Sequence, residues 1–128
     1  MRTWEDLDIR TKVETILNRV PWPEPDHHFG RPFVTAYQIA IEFAQSYPHE
    51  IERLGLETGG RGTGLHYSLA QRLALELSTR IKNGEIQNIE GRFLSNFDVT
   101  ELKFNNYGSP LYSSATGNNA TISMFRLI

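Results

Sequence analysis

Apolar residues in the first part of the chain recur every three or four positions. This spacing is typical of amphipathic helices. It predicts a first helix over residues 3–19, with these apolar positions: Trp4, Leu7, Val13, Ile16, Leu17 and Val20. Thr3 and Asp6 are spaced as a capping pair at its start, and Pro21 is expected to end it.

A second helix is predicted from Thr35, where Thr35 and Gln38 form a capping box, to about Tyr47. Apolar residues cover much of its circumference, so we expect this helix to be central. A short helical turn is expected after Pro48, closed by Gly55.

The third main helix is predicted to begin after Ser68, which forms a capping box with Gln71. It is expected to end near Lys82, where Asn83 and Gly84 form a stop signal. Its apolar stripe consists of Leu69, Leu73, Leu77 and Ile81.

The last third of the chain has strand-like patterns over residues 86–94, 99–104, 110–115 and 120–127. The turn residues Thr116–Asn119 predict that the last two strands form a hairpin, and the terminal strand is expected to be tied into the sheet. Helices followed by strands indicate an α+β fold with a C-terminal antiparallel sheet or hairpin. The length of 128 residues favours a single domain over residues 1–128.

The composition is that of a globular protein, with 39% hydrophobic residues, 22% charged residues and a net charge of −2. Because cysteine is absent, disulfides, thiolate catalysis and cysteine-based zinc sites are excluded. No apolar run is long enough to span a bilayer, and no signal peptide is recognised, so we expect no membrane partner and a cytoplasmic location. A net acidic chain would need a local basic patch to bind nucleic acid.

The most distinctive segment is glycine-rich, with four glycines in the six residues from Gly59 to Gly64, and it leads into the third helix. Such an approach to a helix N-terminus can hold an anion. The predicted anion- or ligand-binding residues are Gly60, Arg61, Gly62, Thr63, Gly64, His66 and Arg72. The alternative is a flexible connector without a ligand. Leu65 and His66 replace the Lys and the Ser or Thr of a phosphate loop, so NTP hydrolysis is not expected.

Charges on the third helix have structural interpretations that compete with anion binding. Arg72 and Glu76 are spaced to pair, and Arg80 and Lys82 suit the negative end of the helix dipole. Arg61 has no such interpretation, so it is the residue we expect to contact phosphate. A continuous positive face joining Arg61, Arg72 and Arg80 would favour nucleic acid.

Other candidate chemistry is weak. Asp26 and His28 could share a metal, but adjacent histidines should point apart on an extended segment, and a surface loop is favoured for Asp26, His27 and His28. No serine lies in a Gly-x-Ser-x-Gly elbow. We therefore predict no catalytic residue, no metal and no cofactor.

A proline-rich connector covers residues 21–32, where four prolines predict an extended, stiff segment. Trp22 and Phe29 are expected to pin it to the body. The same segment could present Trp22, Pro23 and Phe29 to a protein partner, and an exposed terminal strand could pair with a second copy.

The predicted order of elements resembles a winged-helix DNA-binding domain over about residues 33–104. In this resemblance Phe33 and Val34 form the first strand, residues 68–82 form the recognition helix, and a later hairpin forms the wing. The segment from Gly55 to Tyr67 is longer than the turn of that fold. The resemblance implies a non-enzymatic, nucleic-acid-associated binding module. The alternatives are a protein-interaction or homo-oligomeric module and a binding protein for a small phosphate ligand.

Overall fold

The computed structural model describes residues 2–60, 68–113 and 121–128. Within them the helices are α1 Arg2–Asp6, α2 Ile9–Asn18, α3 Ala36–Ser46, α4 Pro48–Leu54 and α5 Leu69–Lys82. The strands are β1 Val34–Thr35, β2 Ile89–Leu94, β3 Lys103–Asn106, β4 Ser109–Tyr112 and β5 Ile122–Leu127. The fold is α+β, as the order of sequence patterns predicted.

The first predicted helix is divided in two at Asp8, whose φ of 50° lies in the left-handed region. The expectation of one continuous helix was therefore wrong, and Thr3 lies inside α1 instead of capping it. The reason is geometric. Val13 lies nine positions after Trp4, and at about 100° per residue a straight helix would place these two side chains on opposite faces. The break at Asp8 allows both to be buried, with 2% and 0% of their surfaces exposed.

Both predicted capping boxes are present. The Thr35 hydroxyl accepts from the Gln38 amide, and the Gln38 side chain accepts from the Thr35 amide. Ser68 and Gln71 make the same reciprocal pair at the start of α5. Gly55 closes α4 with a φ of 65°, a conformation that glycine adopts without strain.

Three strands form one antiparallel sheet in the order β1–β5–β2, and β3 and β4 form a separate two-stranded sheet. The prediction that the last two strands form a hairpin was wrong, because β4 pairs with β3 and β5 pairs with β1 and β2. The β3–β4 turn is made by Tyr107 and Gly108, which both have positive φ and suit a two-residue hairpin. The predicted turn at Thr116–Asn119 lies outside the described residues.

The C-terminal strand is tied into the sheet as predicted, and the Ile128 amide donates to the Asn88 carbonyl at 3.0 Å. However, β5 is the central strand of its sheet, so it is not the exposed strand that was expected to pair with a second copy. The edge opposite β1 is formed by β2.

The core lies where α3 packs between α2 and α5 and contacts the three-stranded sheet. Ile39, Ala40 and Phe43 of α3 are fully buried, which confirms that this helix is central. Leu77 of α5 and Val13 of α2 are also fully buried against the same cluster. In the parts of the chain that the structure describes, no helix has the length and apolar character needed to cross a bilayer.

Candidate functional site

The amides in the first turn of α5 are all engaged inside the protein. The donor–acceptor pairs are Leu69 N to Glu57 O (2.7 Å), Ala70 N to Thr58 O (3.0 Å), Gln71 N to Ser68 Oγ (3.2 Å) and Arg72 N to Ser68 O (2.9 Å). A helix N-terminus binds an anion through amides that lack internal partners. The chain entering α5 supplies those partners itself, so these four amides offer no anion site.

Close packing accounts for the first two glycines of the glycine-rich segment. Gly59 and Gly60 have φ values of 138° and 94°. A Cβ on Gly60 would lie 2.6 Å from the Tyr112 carbonyl oxygen and 2.9 Å from the Leu111 side chain. Gly60 is buried against β4, which makes it a packing residue of the fold.

The other predicted anion-binding residues are divided between the described and undescribed parts of the chain. Arg72 is half-buried in the first turn of α5. The predictions for Arg61, Gly62, Thr63, Gly64 and His66 lie outside the described residues.

Arg80 is buried, in contrast to the surface position that a dipole-pairing residue would have. Its relative exposure is 7%, and its guanidinium lies 4.4 Å from the centre of the Trp4 ring. Arg80 forms an ion pair with Glu76 and a second one with Glu5, in which Nη2 lies 3.2 Å from Glu5 Oε1. Its Nε also lies 3.0 Å from Glu85 Oε2, but this contact is an ion pair without a hydrogen bond.

This cluster corrects the prediction that Arg80 is a surface residue. Glu76, which was predicted to pair with Arg72, is ion-paired with Arg80. Arg80 cannot belong to a continuous positive surface, because its charge is enclosed. Burial opposes the charge of Arg80, but the hydrogen bond to Glu5 and the charges of Glu76 and Glu85 raise its pKa overall. A backbone hydrogen bond, followed by the Arg80 contact, lowers the pKa of Glu5.

The outer face of α5 carries no carboxylate. Four exposed residues spaced four, three and four apart form a stripe on this face: Gln71, Leu75, Ser78 and Lys82. Leu75 is 49% exposed although it is apolar. The helix therefore displays hydrogen-bonding, apolar and basic groups in one line.

Strand β2 lies beside this stripe across a cleft of about 370 Å³ between α5 and the sheet, whose exposed lining includes Ser78, Lys82 and Phe93. Phe93 is 69% exposed and lies on the same face of β2 as Gly91, where a Cβ would contact Ile81 of α5. Arg92 alternates to the other face of β2 at the rim of the cleft, where its 61% exposed side chain is ion-paired with Glu90. We call the stripe together with Arg92 and Phe93 the α5–β2 surface. Sequence analysis missed it, because only strand pairing shows which strand lies beside α5.

The proline-rich connector bends through turns instead of extending. The His27 amide donates to the Glu24 carbonyl, and the Gly30 amide donates to the His27 carbonyl. Pro25 occupies the second position of the first turn, where its fixed φ is favourable. Phe29 is 73% exposed, so the prediction that it pins the connector to the body was wrong.

The same turns bring the two histidines together. Their rings stack at 4.4 Å, which corrects the expectation that they point apart, and His27 Nδ1 accepts from the Phe29 amide. Among the described residues, no group of three side chains is placed to hold a metal ion.

No protein-family model matches the chain, and comparison with curated proteins and with solved structures gave no significant match.

Proposed function

We propose that this protein is a non-enzymatic nucleic-acid-binding module that contacts the duplex through the α5–β2 surface. The observation that carries the proposal is the outer face of α5, which lacks carboxylates and ends in the exposed Lys82, next to the strand that bears Arg92. A helix has the width that the major groove admits, and a neighbouring strand pair can follow the backbone.

The order of elements supports the proposal. In the resemblance to a winged-helix domain over about residues 33–104, β1 corresponds to the first strand and α5 to the recognition helix. The first strand shares one sheet with β2 in the order β1–β5–β2. Strand β2 lies beside α5, so a duplex on α5 would also approach this strand.

The side chains of the α5–β2 surface fit two kinds of contact. Lys82 can pair with a phosphate, and Arg92 can do so by exchanging its Glu90 partner for phosphate; such contacts supply the affinity that does not depend on sequence. Gln71 and Ser78 can donate to base edges, and Leu75 can contact a thymine methyl group. With two cations in the described part of this surface, we expect weak binding that is sensitive to salt.

The proposal is tested by fluorescence anisotropy with a labelled duplex of about 20 base pairs, two turns of B-DNA. Lys82→Ala and Arg92→Ala should each weaken binding at about 50 mM salt and reduce the log–log salt slope by about 0.9 for each phosphate that the protein no longer neutralises. Arg61→Ala is expected to weaken binding too, with a difference that shrinks at high salt.

Arg19→Ala is the charge-matched control, because Arg19 follows α2, donates to Ser46 of α3 and belongs to neither α5 nor β2. It should bind the duplex like the wild type. Absence of wild-type binding at low salt would refute the proposal, and so would an Arg19→Ala loss equal to that of the two test variants.

A second candidate function is association with a second copy through the edge of β2 that pairs with no other described strand. The observation that favours it is the exposure of Phe93 and Phe97, at 69% and 80%, on and just after this edge strand. Light scattering would then give twice the chain mass of 14.7 kDa, and Phe93→Lys would restore the monomer. A monomer at all concentrations would exclude this candidate.

A further inference from the structure

We propose that the cleft formed by the proline-rich connector and β5 binds a small planar carboxylate, with Arg31 as the anchoring cation. The site does not depend on nucleic-acid binding, and it lies apart from α5; Glu90, which pairs with both Arg126 and Arg92, connects it to β2. The cleft has a volume of about 500 Å³, within the range of small-molecule sites. Its walls include Trp22, His27, Phe29, Arg31, Phe33 and Arg126.

Two arginines in the described part of the chain lie over tryptophan rings, and their environments differ. Arg80 lies over Trp4 at 4.4 Å and is neutralised by three carboxylates. Arg31 lies over Trp22 at 4.5 Å, yet no carboxylate among the described residues is within ion-pairing distance of it. The Arg80–Trp4 pair is completed by carboxylates, and the Arg31–Trp22 pair lacks a carboxylate among the described residues.

Trp22 lines the cleft and carries a polar atom without a partner. Its indole Nε1 is shielded from solvent and has no hydrogen-bond acceptor among the described residues, which is destabilising for a donor. A carboxylate that pairs with Arg31 would lie beside the Trp22 ring and change the surroundings of Nε1.

Arg126 holds the cleft together and is not available to a ligand. Its Nε and Nη2 each lie 2.8 Å from Glu90 Oε1, and its Nη1 donates to the carbonyls of Phe29 (2.6 Å) and Arg31 (2.9 Å). Gly30 has a φ of 82°, and a Cβ there would lie 3.1 Å from Nη1. The connector is therefore fixed on both sides of Gly30, which positions Arg31 before a ligand arrives.

The walls indicate the rest of the ligand. Phe33 lies under the Arg126 guanidinium at 4.3 Å, and the rings of His27 and Phe29 meet edge to face at 4.5 Å. Phe29 remains 73% exposed and can cover a flat apolar body by stacking. A planar ring that bears one carboxylate matches both the aromatic walls and the single unpaired guanidinium.

Glu24 also lines the cleft, and its charge opposes an anionic ligand. It is exposed and makes no ion pair with Arg31. Removing this charge should therefore strengthen carboxylate binding. This gives a variant whose expected effect is a gain, which a damaged fold would not mimic.

The experiment is an NMR titration of the ¹⁵N-labelled protein with benzoate, using benzamide as the neutral probe of the same shape. The Trp22 indole N–H signal should shift saturably with benzoate and much less with benzamide, while the Trp4 signal serves as the internal control and stays in place. Arg31→Gln should weaken benzoate binding about 10-fold or more, and Glu24→Gln should strengthen it about 2-fold or more.

Three results would overturn the proposal. They are the absence of a saturable Trp22 shift in the wild type, an equal response to benzamide, and full benzoate affinity in Arg31→Gln. The first two comparisons use the wild-type protein, so they remain valid if a variant folds poorly.

Discussion

Replacing Arg80 by leucine tests whether the buried ion cluster holds α1 against α5. The side chain of Arg80 is 9% exposed, and that of Glu76 is 14% exposed. Glu5 and Glu85 are 63% and 51% exposed, so water can solvate them again when the guanidinium is gone. The loss of stability should therefore come mainly from Glu76, which keeps its charge in a nearly dry position.

The magnitude follows from two contributions. Leaving a buried charged acceptor without its donor costs about 1–3 kcal/mol, and removing the packing of Arg80 on the Trp4 ring costs about 0.5–2 kcal/mol more. We expect Arg80→Leu to lower the free energy of unfolding by roughly 2–4 kcal/mol. This is similar to the cost of removing one partner from a buried ion pair. Urea denaturation followed by circular dichroism measures this difference.

The double variant Arg80→Leu with Glu76→Leu separates charge burial from packing. If the unpaired Glu76 charge causes the loss, the double variant should recover most of the stability, because an apolar replacement of a buried pair is often neutral. The coupling energy between the two sites is then at least about 1 kcal/mol. A single variant that loses less than that, or a double variant as unstable as the single one, would refute the assigned role of the cluster.

Two further predictions concern the packing of the glycine segment and the pH dependence of stability. Gly60→Ala should destabilise the protein by more than Gly55→Ala. Both positions have positive φ, but only at Gly60 would the new Cβ lie 2.6 Å from a backbone oxygen, that of Tyr112. Equal losses of stability in urea denaturation would argue against this close contact. Because the pKa of Glu5 is lowered in the folded state, its contribution to stability is present above its ordinary pKa of about 4.3 and is lost as the pH falls through the lowered value. Glu5→Gln should flatten this acid part of the stability profile, and an unchanged profile would contradict the lowered pKa of Glu5.

Features set within a few residues were predictable from the sequence. The capping box of Thr35 and that of Ser68 each depend on a partner three residues away, and both form. Gly55 ends α4 for a similarly local reason. Helical spacing also defined which face of α5 is apolar. Such signals need no knowledge of the remaining fold.

Features that depend on distant partners were not predictable. The burial of Arg80 requires Trp4 and Glu5, which lie 75 or more positions away along the chain. The pairing of β5 with β2 joins strands separated by the β3–β4 hairpin, and turn signals favoured a nearer partner. The candidate surface was missed for the same reason, because Arg92 becomes a neighbour of α5 only through this pairing.

The two ends of α5 differ in what they can offer to a phosphate, and this difference limits how nucleic acid could be bound. At the N-terminal end, Glu57 and Thr58 already accept the amide hydrogens of the first two residues. At the C-terminal end, the helix dipole is negative and repels phosphate. Contacts there must come from side-chain charges: Lys82 supplies one directly, and Arg92 supplies another by exchanging Glu90 for phosphate. If the proposed function is correct, binding by the α5–β2 surface depends on these two charges. Removing both should abolish the salt dependence of duplex binding that this surface contributes.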